Sequence, residues 1–141
     1  MLGTAIEIAV AAHSGQTTRD GQPYILHPMW VMDKVRHLGP EFMIVAILHD
    51  VVEDTAITIE FLREEGFSEE ILLALNHLDM REGDYIGNIV QLSENEYATQ
   101  VKLRDIEHNS KITRLKDLKE NDHVRMIKYH EAYTILKPFR R

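Results

Sequence analysis

The stretch EFMIVAILHDVVEDT, residues 41–55, constrains this chain more than any other. At about 100° per residue, Ile44, Val45, Ile47, Leu48, Val51 and Val52 spread around a whole helix, so the spacing predicts a helix over 41–53 that is buried on most sides. Four titratable groups sit at its end. With His49 as origin, Glu53 falls near 40°, Asp50 near 100° and Asp54 near 140°, on one side of the last two turns. Burying an isolated carboxylate costs several kcal/mol, roughly, even after relaxation. Three carboxylates and an imidazole at the edge of a core therefore call for a cation or for several basic partners.

Apolar residues recur at three- and four-residue spacing elsewhere too, as at Ile71, Leu72, Leu75 and Leu78, and sustained alternation is absent. The expectation is an all-α bundle of about eight helices, near 2–13, 28–38, 41–53, 59–65, 69–79, 84–92, 95–110 and 122–137. Pro28 suits a first turn, Ser68 an N-cap, Gly66 a left-handed helix end and Pro138 a stop. Residues 14–26 form the longest irregular segment, with Tyr24, Ile25 and Leu26 as its anchors. A length of 141 residues fits one domain spanning 1–141. The opening MLGTAIEIAV has no basic start and carries Glu7, which favours a first helix over a signal peptide or membrane span.

Charge and cysteine usage narrow the chemistry. Residues 1–110 carry 19 acidic and 7 basic side chains, a balance of −12, whereas residues 111–141 carry 4 acidic and 9 basic, a balance of +5. A net charge of −7 argues against nucleic acid and anionic membranes as partners, with the qualification that the basic tail can meet phosphate. With no cysteine, any metal is held by His, Asp and Glu, and a reducing, cytoplasmic setting is expected.

Two further places offer ligands. In VKLRDIEHN, Val101, Asp105 and Asn109 share one helix face at i, i+4 and i+8. In PYILHP, His27 stands between an anchored loop and a helix. Two His and two Asp suit Mn, Fe, Zn or Mg and leave coordination positions open. Each group also has a plainer role. His27 before a proline fits a structural histidine, Glu53 and Asp54 a solvated helix end, Asp105 an ion pair with Lys102 or Arg104, and Asn109 a helix terminus. His13, His37, His77, His123 and His130 have no spacing that singles them out.

His27, then His49-Asp50, then Asp105 resembles the H…HD…D signature of the HD phosphohydrolases. More narrowly, AAHSGQ, DGQPYILHP, LHDVVEDT, EGF and KL-x-D-x-x-x-N resemble the hydrolase domain of RelA/SpoT-type alarmone enzymes from about residue 9 to residue 111. The resemblance implies an all-helical fold and Mn-dependent removal of the 3′-pyrophosphate from ppGpp and pppGpp. It implies that His27, His49, Asp50 and Asp105 hold the metal and that Glu53 and Asp54 position and deprotonate the attacking water. Asn109 would meet the sugar or base, Tyr129 the phosphate or sugar, and Arg19, Lys102, Arg125 or Lys128 would make the pocket locally positive. Thr18 departs from the family's base-stacking arginine, Asp79 from a threonine and Arg104 from an alanine. The implied protein is a stand-alone hydrolase without synthetase, TGS or ACT regions. Thr18 leaves open a second substrate class, such as the 2′-phosphate of NADPH, and a nucleotide-sensing module is a third reading.

Overall fold

Helix α3, Pro40–Leu48, is the pillar of the molecule in this computed structural model, which describes residues 1–114 and 117–141. Phe42 and the five residues Ile44 to Leu48 are all buried, as a helix apolar on every side requires. Its neighbours are α1 (Leu2–Ala12), α2 (Leu26–Lys34), α6 (Glu69–Leu78) and α8 (Glu96–Asn109). The remaining helices are α4 (Val51–Asp54), α5 (Ile59–Glu64), α7 (Tyr85–Leu92) and α9 (Glu120–Leu136), with α9 lying against α7 and α8. The all-α expectation holds: the described residues contain no strand, only an isolated bridge between Thr17 and Pro23.

Local chemistry sets the ends. Ser68 Oγ accepts the N–H of Ile71, Asn95 Oδ1 that of Ala98 and Asp84 Oδ2 that of Gly87, each satisfying a first-turn donor. Gly66, at φ +98°, ends α5 where a side chain would be strained. No described helix is long and apolar enough to cross a membrane.

The helix expected over 41–53 is two helices. It stops at Leu48, resumes at Val51, and His49 and Asp50 form the step between them. Asp50 adopts φ −102° and ψ −3°, so the regular ladder gives way at the pair of residues with most to gain from facing another group than the core. The angular placement of Glu53 and Asp54 relative to His49 on one continuous helix is corrected accordingly. The helix expected over 28–38 begins at Leu26, because the turn Pro23–Tyr24 already delivers the N–H groups of Leu26 and His27 to the carbonyls of Pro23 and Tyr24. It passes into a 3-10 turn at Arg36–Leu38.

Candidate metal centre and the adjoining pocket

His27 enters from the first turn of α2, His49 and Asp50 from the α3–α4 step, and Asp105 from the middle of α8. One potential ligand atom from each of the four lies within 4.8 Å of the others. His27, His49 and Asp105 are no more than 4% exposed and Asp50 is 9% exposed, so the cluster sits under the surface rather than on it. Asp105 Oδ1 is 2.8 Å from His27 Nε2 and 3.3 Å from His49 Nε2, while Asp50 Oδ2 is 3.0 Å from His49 Nε2 and 3.7 Å from His27 Nε2.

His49 tests whether this set suits a cation. Its Nδ1 is 2.6 Å from the carbonyl of Ala46, so it donates there, which in a neutral imidazole leaves the lone pair on Nε2. That Nε2 is buried among two carboxylates yet has no hydrogen-bond partner. Against the effect of burial, Asp50 and Asp105 raise the pKa of His49 well above its ordinary value, so the site calls for positive charge at Nε2, a demand that a bound cation also meets. The donor set of two imidazoles and two carboxylates fits a divalent transition ion or Mg.

The electrostatics agree with a site short of positive charge. Burial works against the carboxylate of Asp105, but Lys102, whose Nζ is 2.9 Å from Oδ2, holds its pKa well below the usual range, helped by His27 and His49. Burial and neighbouring carboxylates push Glu53 up, and burial with Asp50 pushes Asp54 up. Asp50, Glu53 and Asp54 form a second carboxylate group within 4.8 Å of one another, on the open side of α4.

Second contacts hold these side chains in place. The Tyr24 hydroxyl donates to Asp50 Oδ2 at 2.5 Å, and burial together with Asp50 raises its pKa. Asn109 donates from Nδ2 to Asp105 Oδ1 at 2.9 Å and accepts at Oδ1 from Arg114 at 3.2 Å. Gln16, bonded to His13 Nδ1 at 2.8 Å, donates to the carbonyl of Asp54 and pins the 14–25 segment to the end of α4.

Beside the cluster opens a pocket of about 270 Å³, walled by Thr17, Thr18, Tyr24, Asn109, Lys111, Arg114, Arg125 and Tyr129 together with Arg19 and Asp20. Thus Asn109, Tyr129 and Arg125 share one cavity. Arg19 borders it too, but its guanidinium spans both oxygens of Asp122 at 2.5 and 2.8 Å and also reaches the carbonyl of Asp117. Lys102 is buried and bound to Asp105 rather than lining the pocket. The neighbours that depart from the family pattern are occupied elsewhere: Asp79 pairs with Arg81 at 2.6 Å and Arg104 with Glu107 at 3.0 Å.

Sequence reasoning missed His108, Trp30, Lys111 and Arg114. His108 Nδ1 is 2.7 Å from His27 Nδ1, and a face of its ring stacks on Trp30 at 4.3 Å between centroids. Burial and Arg114 lower its pKa to about 3. The signal was available, since His108 stands three residues after Asp105, on the same face of α8.

An all-helical scaffold that converges His, His-Asp and Asp from three chain segments defines an HD-type domain. No family model matches the chain. It is 37% identical over 115 residues to the guanosine-3′,5′-bis(diphosphate) 3′-pyrophosphohydrolase of Haemophilus influenzae, covering 72% of this chain and 17% of that one. It is 31% identical over 120 residues to the enzyme of the same name from Spiroplasma citri, covering 76% and 16%. A probable GTP pyrophosphokinase of Mycobacterium leprae is 44% identical over 69 residues, covering 48% and 9%. The chain therefore spans less than a fifth of the length of these relatives. Among solved structures, a metazoan ortholog of SpoT described as hydrolysing ppGpp superimposes with a TM-score of 0.82 at 18% identity, covering 96% of this chain and 85% of that one. The chain belongs with the HD domains of the RelA/SpoT-type alarmone hydrolase family.

Proposed function

We propose that the chain is a divalent-metal-dependent 3′-pyrophosphohydrolase of the guanosine alarmones ppGpp and pppGpp, releasing GDP or GTP and pyrophosphate, with Mn as its metal and the cytoplasm as its setting. The observation that carries this reading is the convergence of His27, His49, Asp50 and Asp105 beside the Glu53–Asp54 carboxylates, next to a cation-lined pocket whose Tyr24 and Asn109 donate to Asp50 and Asp105. The names of the relatives agree with it. Residues 1–141 would act as one catalytic unit.

The four ligands would hold the metal, which when bound supplies Lewis acidity and neutralises charge on phosphate oxygens. Glu53 and Asp54 accept the proton of the attacking water. Their raised pKa values keep them nearer the operating pH than an exposed carboxylate, where a general base works best. Lys111, Arg114 and Arg125 face the pocket and offset the repulsion between an acidic protein and a polyanionic substrate. Asn109 keeps one amide hydrogen free for a sugar or base, since the other goes to Asp105. Tyr129 lines the same pocket and can offer a hydroxyl to phosphate or sugar.

The test is chromatographic separation of products after incubation of the purified protein with each alarmone and Mn. Pyrophosphate release that stops with chelator and with His49→Ala is expected, and Glu53→Gln should lower the rate on the order of 10² to 10⁴ while leaving metal binding intact. Absence of turnover on both alarmones with Mn present refutes the reading. One observation favours a second substrate class: Thr18 stands at the pocket wall where a stacking arginine is usual, and Arg19 is committed to Asp122. A nucleotide panel including NADPH, scored for phosphate against pyrophosphate, separates the two.

A further inference from the structure

His27 has two ring nitrogens, and both are engaged. Nε2 faces Asp105 Oδ1 at 2.8 Å and Asp50 Oδ2 at 3.7 Å, and Nδ1 meets Nδ1 of His108 at 2.7 Å. The two rings are 6° from parallel with centroids 5.0 Å apart. With the nitrogens only 2.7 Å apart, that separation means rings lying edge to edge in one plane, not face to face, so the contact is an in-plane hydrogen bond. Two nitrogens at that distance share one hydrogen: one ring donates and the other accepts.

We propose that His108 is a positioning residue that accepts the Nδ1 hydrogen of His27, fixing the His27 tautomer so that the Nε2 lone pair is presented to the cation. This rests on the metal reading above. If Nε2 of His27 binds a cation, its hydrogen is on Nδ1, and the atom that receives it must be an acceptor. His49 does the same with the carbonyl of Ala46, so each imidazole of the centre is set by an acceptor behind it, one from the backbone and one from a third histidine. The third ring is itself fixed. Trp30 stacks on it at 14° from parallel, and the ammonium of Lys111 lies 4.6 Å from the Trp30 ring, so the acceptor is held by packing rather than left to rotate.

Two variants separate the hydrogen bond from the packing. His108→Phe keeps an aromatic ring against Trp30 and removes the acceptor. His108→Asn places a carboxamide oxygen where Nδ1 stood and keeps it. Calorimetric titration of the full chain with Mn, starting from chelator-treated protein, should show His108→Phe binding about 10- to 100-fold more weakly than wild type and His108→Asn within about threefold. Wild-type affinity in His108→Phe, or equal losses in the two variants, overturns the proposal, the second because shape alone would then explain the effect. His27→Ala is the control that tells the two failures apart. Undiminished Mn binding there refutes the metal reading itself, whereas a large loss there with none in His108→Phe refutes only the role of His108. Imidazole nitrogen NMR of the Mg- or Zn-loaded wild type gives a check without mutation: His27 Nδ1 should carry the hydrogen and His108 Nδ1 should not, and the reverse pattern overturns the proposal.

Discussion

Lys102→Met asks what holds the centre together before any cation arrives. Lys102 Nζ is 2.9 Å from Asp105 Oδ2, with the two side chains 10% and 6% exposed, so it is a buried charge opposite a buried charge. Burial opposes its ionisation, yet Asp105 and nearby groups raise its pKa above the ordinary value. Methionine keeps most of the apolar stem, so no large cavity opens and the lost term is electrostatic. Removing one partner of such a pair costs about 3–5 kcal/mol. Asp105 retains contacts with Asn109 and His27, which places the metal-free loss near the lower end, about 3 kcal/mol. With a urea dependence of about 2 kcal/mol per molar, the unfolding midpoint should fall by about 1.5 M. Saturating Mn should shrink that difference to a third or less, because a doubly charged ion replaces the lost ammonium, and by the same cycle Mn should bind the variant about 30-fold more tightly. The reasoning fails if the metal-free midpoint moves by less than about 0.3 M, or if it moves equally with and without Mn.

Other outcomes follow from the same geometry. Mn at 100 times its dissociation constant should stabilise the protein by about 2.7 kcal/mol, roughly 10 °C in a thermal melt of a chain this long, and His49→Ala should abolish the shift. Ile47→Ala, at a fully buried position beside the α3–α4 step, should cost about 2–5 kcal/mol by urea unfolding. Arg19→Ala should loosen the pocket wall, seen as a higher KM with a smaller change in kcat, and faster amide exchange at the start of α9. Arg19 holds the Asp122 carboxyl well below the usual carboxylate range, so the pair's contribution is full above about pH 4 and fades as pH falls further. Wild type and Arg19→Ala should therefore converge in stability on acidification, and a gap at pH 2 as wide as at pH 5 or wider would contradict the assignment.

Periodicity exposed the helices because nearly every one has an apolar stripe, and α3 is apolar all round. Periodicity cannot register a two-residue step. His49 and Asp50 interrupt the helix while the hydrophobic run continues through Val51 and Val52, which return to the core. The cluster itself was legible through residue type: carboxylates and an imidazole set into an apolar run need a counter-charge, and His27 and Asp105 are drawn to it. The contacts behind the ligands were not: spacing puts His108 on the Asp105 face of α8, but its bond to His27, like the Arg114 contact and the Arg19–Asp122 pair, depends on how α2, α8, α9 and the 14–25 segment pack across sequence separations of up to 103 residues. Lys102 illustrates the same limit, for a basic residue one turn from Asp105 reads equally as a substrate contact or as a fixed partner. The packing selects the partner.

The four residues proposed to hold the metal come from stretches separated by 78 residues of chain, from His27 to Asp105. During synthesis, a polypeptide that has emerged only as far as α6 owns the imidazoles and one carboxylate but no cage. On the proposed ligand set, ion capture awaits docking of α8, and loading doubles as a readout of completed folding. A nascent or proteolytically shortened fragment would fail to load a cation not through damage to any single group but because the enclosure has one wall missing.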